Sequence, residues 1–316
     1  MLGIDDERIL AGFEAALERP VTLRANTLKS SAEEIATALE AAHIAYERVP
    51  WYADAFVLAE ASERDIWPLD IYTQGKVYLQ SLSSMLPPLL LAPQAGEDVL
   101  DMCAAPGGKT SQIAALTNNE AHLTACELNV PRAEKLAYNL NKLGAANINV
   151  MRTDARKLDE FFRFDKILLD APCTGTGTVR AGDKKAEARI TPQLLSKVSR
   201  SQQALLNRAL TILKPGGTLI YSTCSVLAQE NEDQVRNALK RHRDCAVAPL
   251  VLGNADNDVE TQDGRTPQPI KLPHADEGAF AIPELGNTLE GTITVAPGTY
   301  YEGFYVAAIR KQGTRS

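Results

Sequence analysis

The sequence lacks the features that mark membrane, secreted, disulfide-bonded and metal-binding proteins. No stretch approaches the roughly 20 unbroken apolar residues that a membrane helix needs, and the opening MLGIDDERIL has acids where a secretory signal has basic residues. The five cysteines are an odd number without CxxC spacing, and the four histidines show no HExxH pattern. We therefore expect a cytoplasmic globular protein with no disulfide framework and no metal.

Positive charge is also scarce overall, since the chain has a net charge of −7. Its distribution is uneven, however, because residues 155–214 hold 12 basic and 6 acidic residues, whereas residues 1–60 hold 5 basic and 11 acidic. A basic segment of this kind can attract a polyanion to one face of an acidic protein. Four of its residues, Arg180, Lys184, Lys185 and Arg189, predict a nucleic-acid contact, with a merely solvated loop as the alternative.

A length of 316 residues with 45 % apolar residues is enough for two domains. Residues 1–67 predict a small α/β domain, 68–96 a connecting segment, and 97–316 a larger domain in which strand-length apolar runs alternate with helical patterns. Such alternation predicts a doubly wound, Rossmann-like parallel sheet. GTITVAP and EGFYVAAIRK predict an antiparallel C-terminal hairpin at its edge, and residues 244–290 predict an irregular excursion.

A glycine turn follows the first strand of the larger domain, in VLDMCAAPGGKT. Two ligand classes fit a turn of this kind at the start of a helix. A phosphate-binding loop is matched at Gly108, Lys109 and Thr110, but Cys103 stands where its first glycine belongs. A P-loop-like nucleotide hydrolase is therefore an alternative to a cofactor that carries no phosphates.

Acidic residues at three later strand ends favour the second class. Glu127 lies about 20 residues after the glycine turn, as in folds that bind a ribose diol, and Asp154 and Asp170 end the next two strands. Three carboxylates would repel a triphosphate but suit a positively charged sulfonium. They predict S-adenosylmethionine as the cofactor, although each acid alone is equally explained as a helix N-cap.

Two cysteines follow neighbouring strands in LLDAPCTGTGTV and LIYSTCS, which places Cys173 and Cys224 in one crevice with Asp170. Two thiols suit methylation of carbon 5 of cytosine, because a thiolate must first add to carbon 6 and later be expelled. Asp170 would hold the base, which leaves its stack most readily in looped RNA. Sequence chemistry alone does not decide which thiol attacks. The other cysteines, at 103, 126 and 245, are interpreted as packing residues.

These motifs resemble those of the Nop/Sun-type RNA (cytosine-5) methyltransferases. DMCAAPGGKT, DAPCTGTG and STCS match the family's cofactor loop and its fourth and sixth motifs in order and spacing, and LRANTLK and QSLSSMLPP resemble its N-terminal region. The likeness runs from about residue 20 to EGFYVAAIRK. It implies a class I methyltransferase sheet preceded by an RNA-recognition-like α/β domain.

The resemblance also implies roles for single residues. It makes Cys224 the nucleophile and Cys173 the aid to product release. Ribosomal or transfer RNA is the implied partner, and a monomer is expected because the RNA supplies the second surface. A catalytically inactive RNA-binding scaffold is a further alternative. The implied cofactor contacts are Cys103, Ala104, Ala105, Pro106, Gly107, Gly108, Lys109, Glu127, Arg132, Asp154 and Asp170.

Overall fold

The chain begins with an antiparallel sheet covered by helices, in a computed structural model that describes residues 4–253 and 267–313. The sheet has the order β2-β3-β1-β4. The elements are α1 (Glu7–Ala15), β1 (Val21–Ala25), α2 (Ala32–Ala41), β2 (Glu47–Val49), β3 (Tyr52–Leu58), α3 (Glu63–Ile66), α4 (Asp70–Thr73), β4 (Val77–Leu79) and α5 (Leu82–Leu91).

The apolar spacing of the sequence explains the core of this N-terminal unit. Helix α2 begins after Ser31, whose hydroxyl accepts a hydrogen bond from a backbone amide of the first turn. Ile35 and Leu39 lie one turn apart on its buried face and pack with Leu23 of β1 and Phe56 of β3. Each such buried side chain stabilises the fold by roughly 1.5–3 kcal/mol.

The segment 68–96 contributes to both sheets. Its strand β4 pairs antiparallel with β1, with Leu79 opposite Leu23. Its helix α5 places Met85 and Leu86 in the apolar core below the larger sheet. The boundary between the two domains stays a prediction, because this segment packs on either side of it.

The larger sheet follows, with the predicted doubly wound arrangement. Its order is β7-β6-β5-β8-β9-β15-β14-β13, and the pairs from β7 to β9 are parallel. The elements are β5 (Asp98–Asp101), α6 (Gly108–Leu116), β6 (His122–Cys126), α7 (Val130–Leu143), β7 (Ile148–Met151), β8 (Phe164–Asp170), α8 (Lys184–Arg189), α9 (Pro192–Ile212), β9 (Leu213–Thr223), α10 (Glu232–Arg241), β10 (Cys245–Ala248), β11 (Leu250–Leu252), β12 (Ile270–Leu272), β13 (Glu284–Leu285), β14 (Ile293–Val295) and β15 (Phe304–Lys311).

Alternation along the strands divides the core into two layers. Val99 of β5 faces the layer that contains α5 and α6, whereas its neighbour Leu100 faces the layer that contains α9 and α10. Leu168 and Leu169 of β8 divide in the same way. Because both faces of these strands are buried, each has an uninterrupted apolar run at its centre, VL in β5 and ILL in β8.

The C-terminal strands confirm one prediction and correct another. Strands β14 and β15 form the predicted antiparallel hairpin, and β15 pairs antiparallel with β9. The prediction of an irregular excursion over 244–290 is wrong at four short strands. Strand β10 pairs with β15, β11 pairs with β12, and β13 pairs with β14. For β10 the physical reason is that alternating small and apolar residues in CAVA fit a half-buried strand despite the turn-rich sequence beyond. Residues 254–266 lie outside the described part of the chain.

The longest helix in the described ranges is α9, with 21 residues. It buries Leu205, Leu206 and Leu210 on one face and exposes Lys197 and Arg200 on the other. It is therefore amphipathic, as expected of a helix that covers a sheet. Across residues 4–253 and 267–313, no helix has the length and apolar character needed to cross a membrane.

Buried polar side chains join the N-terminal unit to the larger sheet. The Asn26 side-chain amide donates to the carbonyl of Gly75, at 2.8 Å, and to the carbonyl of Leu143 at the end of α7, at 2.7 Å. The Trp51 indole donates to the Tyr301 hydroxyl at 2.9 Å. These contacts fix the unit beside the helices that follow β5 and β6.

Asn26→Ala should lower the free energy of unfolding by about 1–3 kcal/mol, because it leaves buried carbonyls without a donor. Urea denaturation followed by circular dichroism measures this change. Asn149 is exposed on β7, so Asn149→Ala serves as the control and should change stability by less than about 0.5 kcal/mol. Equal stabilities for the two variants would contradict the assigned role of Asn26.

Candidate active site

The two cysteines of the DAPC and STCS motifs meet beyond the ends of β8 and β9. These strands pair in parallel with Asp170 opposite Ser222, so the residues that follow them leave the same edge of the sheet. The sulfur atoms of Cys173 and Cys224 lie 3.0 Å apart. Both cysteines are free thiols and are half-buried. The arrangement is a thiol pair joined by a hydrogen bond.

The surroundings make Cys173 a weaker acid than an ordinary cysteine. Its hydrogen bond with Cys224, its burial and the negative charges of Glu230 and Asp170 raise the pKa of Cys173 well above its usual value. A thiol with a raised pKa keeps its proton at neutral pH. A protonated Cys173 can donate to the sulfur of Cys224, and the contact allows either sulfur to be the donor.

Asp170 is held at the edge of the sheet by a lysine and a serine. Its Oδ2 lies 2.7 Å from Lys109 Nζ, and its Oδ1 accepts a hydrogen bond from the Ser222 hydroxyl at 2.8 Å. Lys109 also donates to the Ser84 hydroxyl at 2.8 Å. Burial lowers the pKa of Lys109, but the charge and hydrogen bond of Asp170 outweigh it and raise the pKa overall. The lysine is thus a fixed cation beside Asp170.

Two positions of the glycine turn, 107 and 108, require a residue without a side chain. Gly107 has a φ of 109° and precedes the first residue of α6, a conformation that favours glycine. A Cβ at Gly108 would lie 2.8 Å from the ring of Tyr78. Beneath the turn, buried Asp101 accepts a hydrogen bond from the Thr110 hydroxyl at 2.7 Å. Burial raises the pKa of Asp101 to about 6.

A cavity of about 740 Å³ opens beside the thiol pair. Its volume is in the range of small-molecule sites. It is lined by predicted site residues from five separate loops, and apolar side chains lie between them. Those predicted residues are Cys103, Ala105, Glu127, Arg132, Asp154, Asp170, Cys173 and Cys224.

Other predicted cofactor residues lie beside this cavity rather than in its wall. Ala104, Pro106, Gly108 and Lys109 line an adjoining cavity of about 210 Å³, which shares Asp170 with the larger one. Gly107 lines neither of these two cavities. Gly107 instead shapes the turn that positions the adjacent residues of the loop. Contacts of these five residues with a cofactor stay predictions.

Arginines hold two of the three carboxylates that line the cavity. Arg132 lies 3.1 Å from Glu127 Oε2 and donates to the carbonyl of Ala105 at 2.8 Å, so it links the glycine turn to the end of β6. Asp154 is paired with Arg156 at 2.7 Å, and this hydrogen bond lowers the pKa of Asp154. Asp154 also caps the short 3₁₀ turn that follows it, so it has the N-cap role as well as a place in the cavity wall.

The remaining cysteines have no comparable setting. Burial, with help from nearby acids, raises the pKa of Cys103 well above its usual value. Burial raises the pKa of Cys126 and of Cys245 to about 12. Thiols of this kind are inert at neutral pH. Cys103 and Cys126 line the same cavity as the thiol pair, and their raised pKa values favour the protonated thiol.

One acidic residue beside the site was not predicted from the sequence. The buried carboxylate of Glu230 accepts hydrogen bonds from Thr174 and from Ser225, the residues that follow the two cysteines. Its segment, AQENEDQV, has the composition of an ordinary acidic helix start. No pattern in a single sequence distinguishes it, because the contact exists only once β8 and β9 are paired.

Comparison with known proteins supports the same interpretation. Residues 88–310 match the family model described as 16S rRNA methyltransferase RsmB/F. The chain belongs to this family. Residues 9–64 of this RsmB/F chain match a second model, described as an RsmF/B-like ferredoxin-like domain. The resemblance to Nop/Sun-type RNA methyltransferases is confirmed.

Individual relatives agree with this assignment. The RsmB/F chain is 36 % identical over 313 residues to ribosomal RNA small subunit methyltransferase F of Shewanella sp., covering 96 % of this chain and 59 % of that protein. It thus spans about three fifths of the relative's length. A methyltransferase homolog from Pyrococcus horikoshii is 33 % identical with a TM-score of 0.72, over 96 % of this chain and 90 % of the other. NSun6 from Pyrococcus horikoshii, solved with SFG, shares the fold with a TM-score of 0.74 at 21 % identity, over 96 % and 93 % of the two chains.

Limited alkylation should distinguish the cysteines of this RsmB/F chain. Iodoacetamide at pH 7.5 should label Cys224 at least about tenfold faster than Cys173, because a raised pKa reduces the thiolate fraction. Cys126 and Cys245 should stay unlabelled while the protein is folded. Peptide mass spectrometry over a time course measures each rate. Faster labelling of Cys173 would contradict the raised pKa of its thiol.

Proposed function

We propose that this protein transfers a methyl group from S-adenosylmethionine to carbon 5 of a cytosine in RNA of the small ribosomal subunit. The observation that carries the proposal is the contact between Cys173 and Cys224 at the mouth of a carboxylate-lined cavity. The substrate class follows from the name of the Shewanella relative, a ribosomal RNA small subunit methyltransferase. The cytoplasmic location and the monomeric state stay predictions.

The residues of the larger cavity fit S-adenosylmethionine. Glu127 is almost fully buried yet lines the cavity, and both of its oxygens have a fixed direction through Asn129 and Arg132. A carboxylate held in this way has lone pairs left for the hydroxyls of a ribose. Asp154 would face the adenine, and apolar Leu128 would cover it. When bound, S-adenosylmethionine supplies an electrophilic methyl group on a positively charged sulfur.

In this proposal Cys224 is the nucleophile. Its sulfur adds to carbon 6 of the cytosine, and the electron pair of the carbon 5–carbon 6 double bond makes carbon 5 nucleophilic. The choice of Cys224 over Cys173 comes from the family resemblance. The contact between the two sulfur atoms is compatible with it, because a protonated Cys173 could donate to a Cys224 thiolate and stabilise it.

Asp170 and Lys109 would hold the base. Asp170 lines both cavities and still has lone pairs beyond those used by Lys109 and Ser222, so it can accept a hydrogen bond from the cytosine amine. The partly buried ammonium of Lys109, 2.7 Å away, fixes the direction of the carboxylate. Fixed charges of this kind stabilise the charge that develops when the thiolate adds.

Cys173 would act in the last step. After methylation, the proton on carbon 5 passes to solvent water, and its electron pair re-forms the carbon 5–carbon 6 double bond. The bond between carbon 6 and the sulfur of Cys224 breaks, and its electron pair leaves on that sulfur. The thiol of Cys173, 3.0 Å away, donates a hydrogen bond to the departing sulfur. This contact stabilises the leaving thiolate and hence the release of product.

The hydrolase alternative loses its support at two residues. The side chains that matched a phosphate-binding loop are Lys109, which pairs with Asp170, and Thr110, which donates to buried Asp101. In a phosphate loop, the lysine would reach phosphate oxygens and the hydroxyl a magnesium ion. Here both are directed to carboxylates of the chain itself.

Exposed cations beside the thiol pair would bind the RNA backbone. The segment between Cys173 and Ser201, which both line the cavity, carries cations that are exposed and form no ion pair with a described residue. Phosphate contacts from such side chains give affinity without sequence preference. The cations are Arg180, Lys184, Lys185, Arg189, Lys197 and Arg200.

Substitution of the two thiols should have opposite effects on the covalent step. Cys224→Ala should abolish methyl transfer and leave binding of S-adenosylhomocysteine intact, because Cys224 is the nucleophile. Cys173→Ala should accumulate a covalent protein–RNA adduct, because release of Cys224 becomes slow. A gel shift under denaturing conditions detects the adduct. Trapping by Cys224→Ala but not by Cys173→Ala would show that the two roles are reversed.

Reversal of charge on α8 should weaken RNA binding without loss of cofactor binding. Lys184→Glu with Lys185→Glu should lower the slope of log affinity against log salt by about 1 to 2, because each phosphate contact releases about one counterion. Fluorescence anisotropy with a labelled RNA hairpin measures the slope. Lys240 is exposed on α10, none of whose described residues lines the cavity, so Lys240→Glu is the control. Equal slopes for both variants would exclude α8 from the RNA contact.

A further inference from the structure

The carboxylate of Glu230 is fully buried and lies between the two loops that carry the thiols. On one side it receives the backbone amide of Thr174 at 2.8 Å and the Thr174 hydroxyl at 2.5 Å. On the other side it receives the Ser225 hydroxyl at 2.5 Å. Thr174 follows Cys173 in the chain and Ser225 follows Cys224, so one side chain binds both loops directly beside the sulfur atoms.

A second side chain fixes the other flank of Cys173. The amide of buried Gln202, on α9, donates to Glu230 Oε1 at 3.2 Å and to the carbonyl of Pro172 at 3.0 Å. The residues before and after Cys173 are therefore both tied to Glu230, one directly and one through Gln202. Each group that contacts the carboxylate can donate a hydrogen bond to it.

Asn231, the residue after Glu230, contacts the residues before and after Cys224. The Thr223 hydroxyl donates to Asn231 Oδ1 at 2.6 Å, and the Asn231 amide donates to the carbonyl of Ser225 at 2.9 Å. The Tyr221 hydroxyl donates to the backbone carbonyl of Glu230 at 2.6 Å. These hydrogen bonds thus hold the segment that contains Glu230 against the end of β9.

We propose that Glu230 is a positioning residue that keeps the sulfur atoms of Cys173 and Cys224 in contact by clamping their loops together. Its role in methyl transfer rests on the function proposed above, whereas the clamp itself does not. Buried charges without a cation are rare in proteins because desolvation is costly. Neutral side chains would be enough to join two loops. The carboxylate differs in that its oxygens accept hydrogen bonds from both loops at once.

Glu230 acts on the thiols through its charge as well as through its position. It is one of the charges that raise the pKa of Cys173. Removal of the charge should therefore affect Cys173 in two ways, by loosening its loop and by making its thiol easier to ionise. A residue that only stabilises the fold would move neither property selectively, so these two readouts separate the roles.

The first test measures the distance between the thiols without any methyl transfer. The full-length protein is treated with diamide, which takes two electrons and two protons from a pair of thiols in contact and leaves a disulfide. Peptide mapping follows the bond between Cys173 and Cys224. Wild-type protein should form it rapidly, and Glu230→Gln should slow it by at least about tenfold, because a small displacement strongly reduces reaction between positioned groups.

Glu232→Gln is the matched control. Glu232 is also buried and lies two residues further on, but its carboxylate contacts the backbone amide of Thr288 rather than either thiol loop. This variant should form the disulfide at the wild-type rate. If Glu230→Gln also reacts at the wild-type rate, the positioning role is refuted. Should Glu230→Gln fail to fold, Ser225→Ala removes one arm of the clamp and should slow the reaction by a smaller factor, and an unchanged rate for it would refute the role equally.

The second test uses alkylation and kinetics. In Glu230→Gln, labelling of Cys173 by iodoacetamide at pH 7.5 should accelerate while buried Cys126 and Cys245 stay unlabelled, which excludes general unfolding. If methyl transfer is detected in the wild type, kcat should fall by about 10²-fold with the KM for cofactor unchanged, since Glu230 does not line the cavity. A wild type that forms the disulfide but transfers no methyl group would refute the proposed function and leave the clamp standing.

Discussion

The parallel pairing of β8 with β9 is the constraint on which the site depends. With Asp170 opposite Ser222, both strands end at the same level and their side chains hydrogen-bond across the sheet edge. A slip of one residue would turn every side chain to the other face. The register is specified because both faces of these strands are buried by apolar residues from two helical layers. The meeting of Cys173 and Cys224, 51 positions apart in the chain, is a consequence.

The same edge of the sheet gives two chemically identical thiols different properties. Cys173 has the charges of Glu230 and Asp170 nearby and a hydrogen bond to its partner, and these contacts with burial favour its protonated form. Asp170, in turn, is compensated by Lys109 rather than left as a bare charge. The acids around the pair therefore do not simply suppress ionisation. They favour the protonated form of one sulfur, which suits a pair in which one thiol adds to the base and the other assists release.

Much of this arrangement follows from the sequence, because strand ends in an alternating α/β pattern converge at one edge. The acids at 127, 154 and 170 and the pair of cysteines were predicted to lie there, and the cavity wall contains them. The glycine turn was predicted there too, and its Gly108 lines the adjoining cavity. The sequence does not reveal Glu230, since its role arises from loops that meet only after the strands pair. Strand β10 was missed because CAVA is short and precedes a turn-rich segment. Asp154 caps a 3₁₀ turn and also lines the cavity. The sequence pattern presented these two roles as alternatives, whereas the structure shows that one residue has both.

The central claim is that the protein methylates carbon 5 of cytosine in ribosomal RNA. The most direct measurement is to incubate it with small-subunit ribosomal RNA and S-adenosylmethionine that carries a deuterated methyl group. The RNA is then digested to nucleosides and examined by mass spectrometry. The account predicts the label in 5-methylcytidine alone. Label in a different nucleoside, or no label from a protein that binds the cofactor and the RNA, would contradict it.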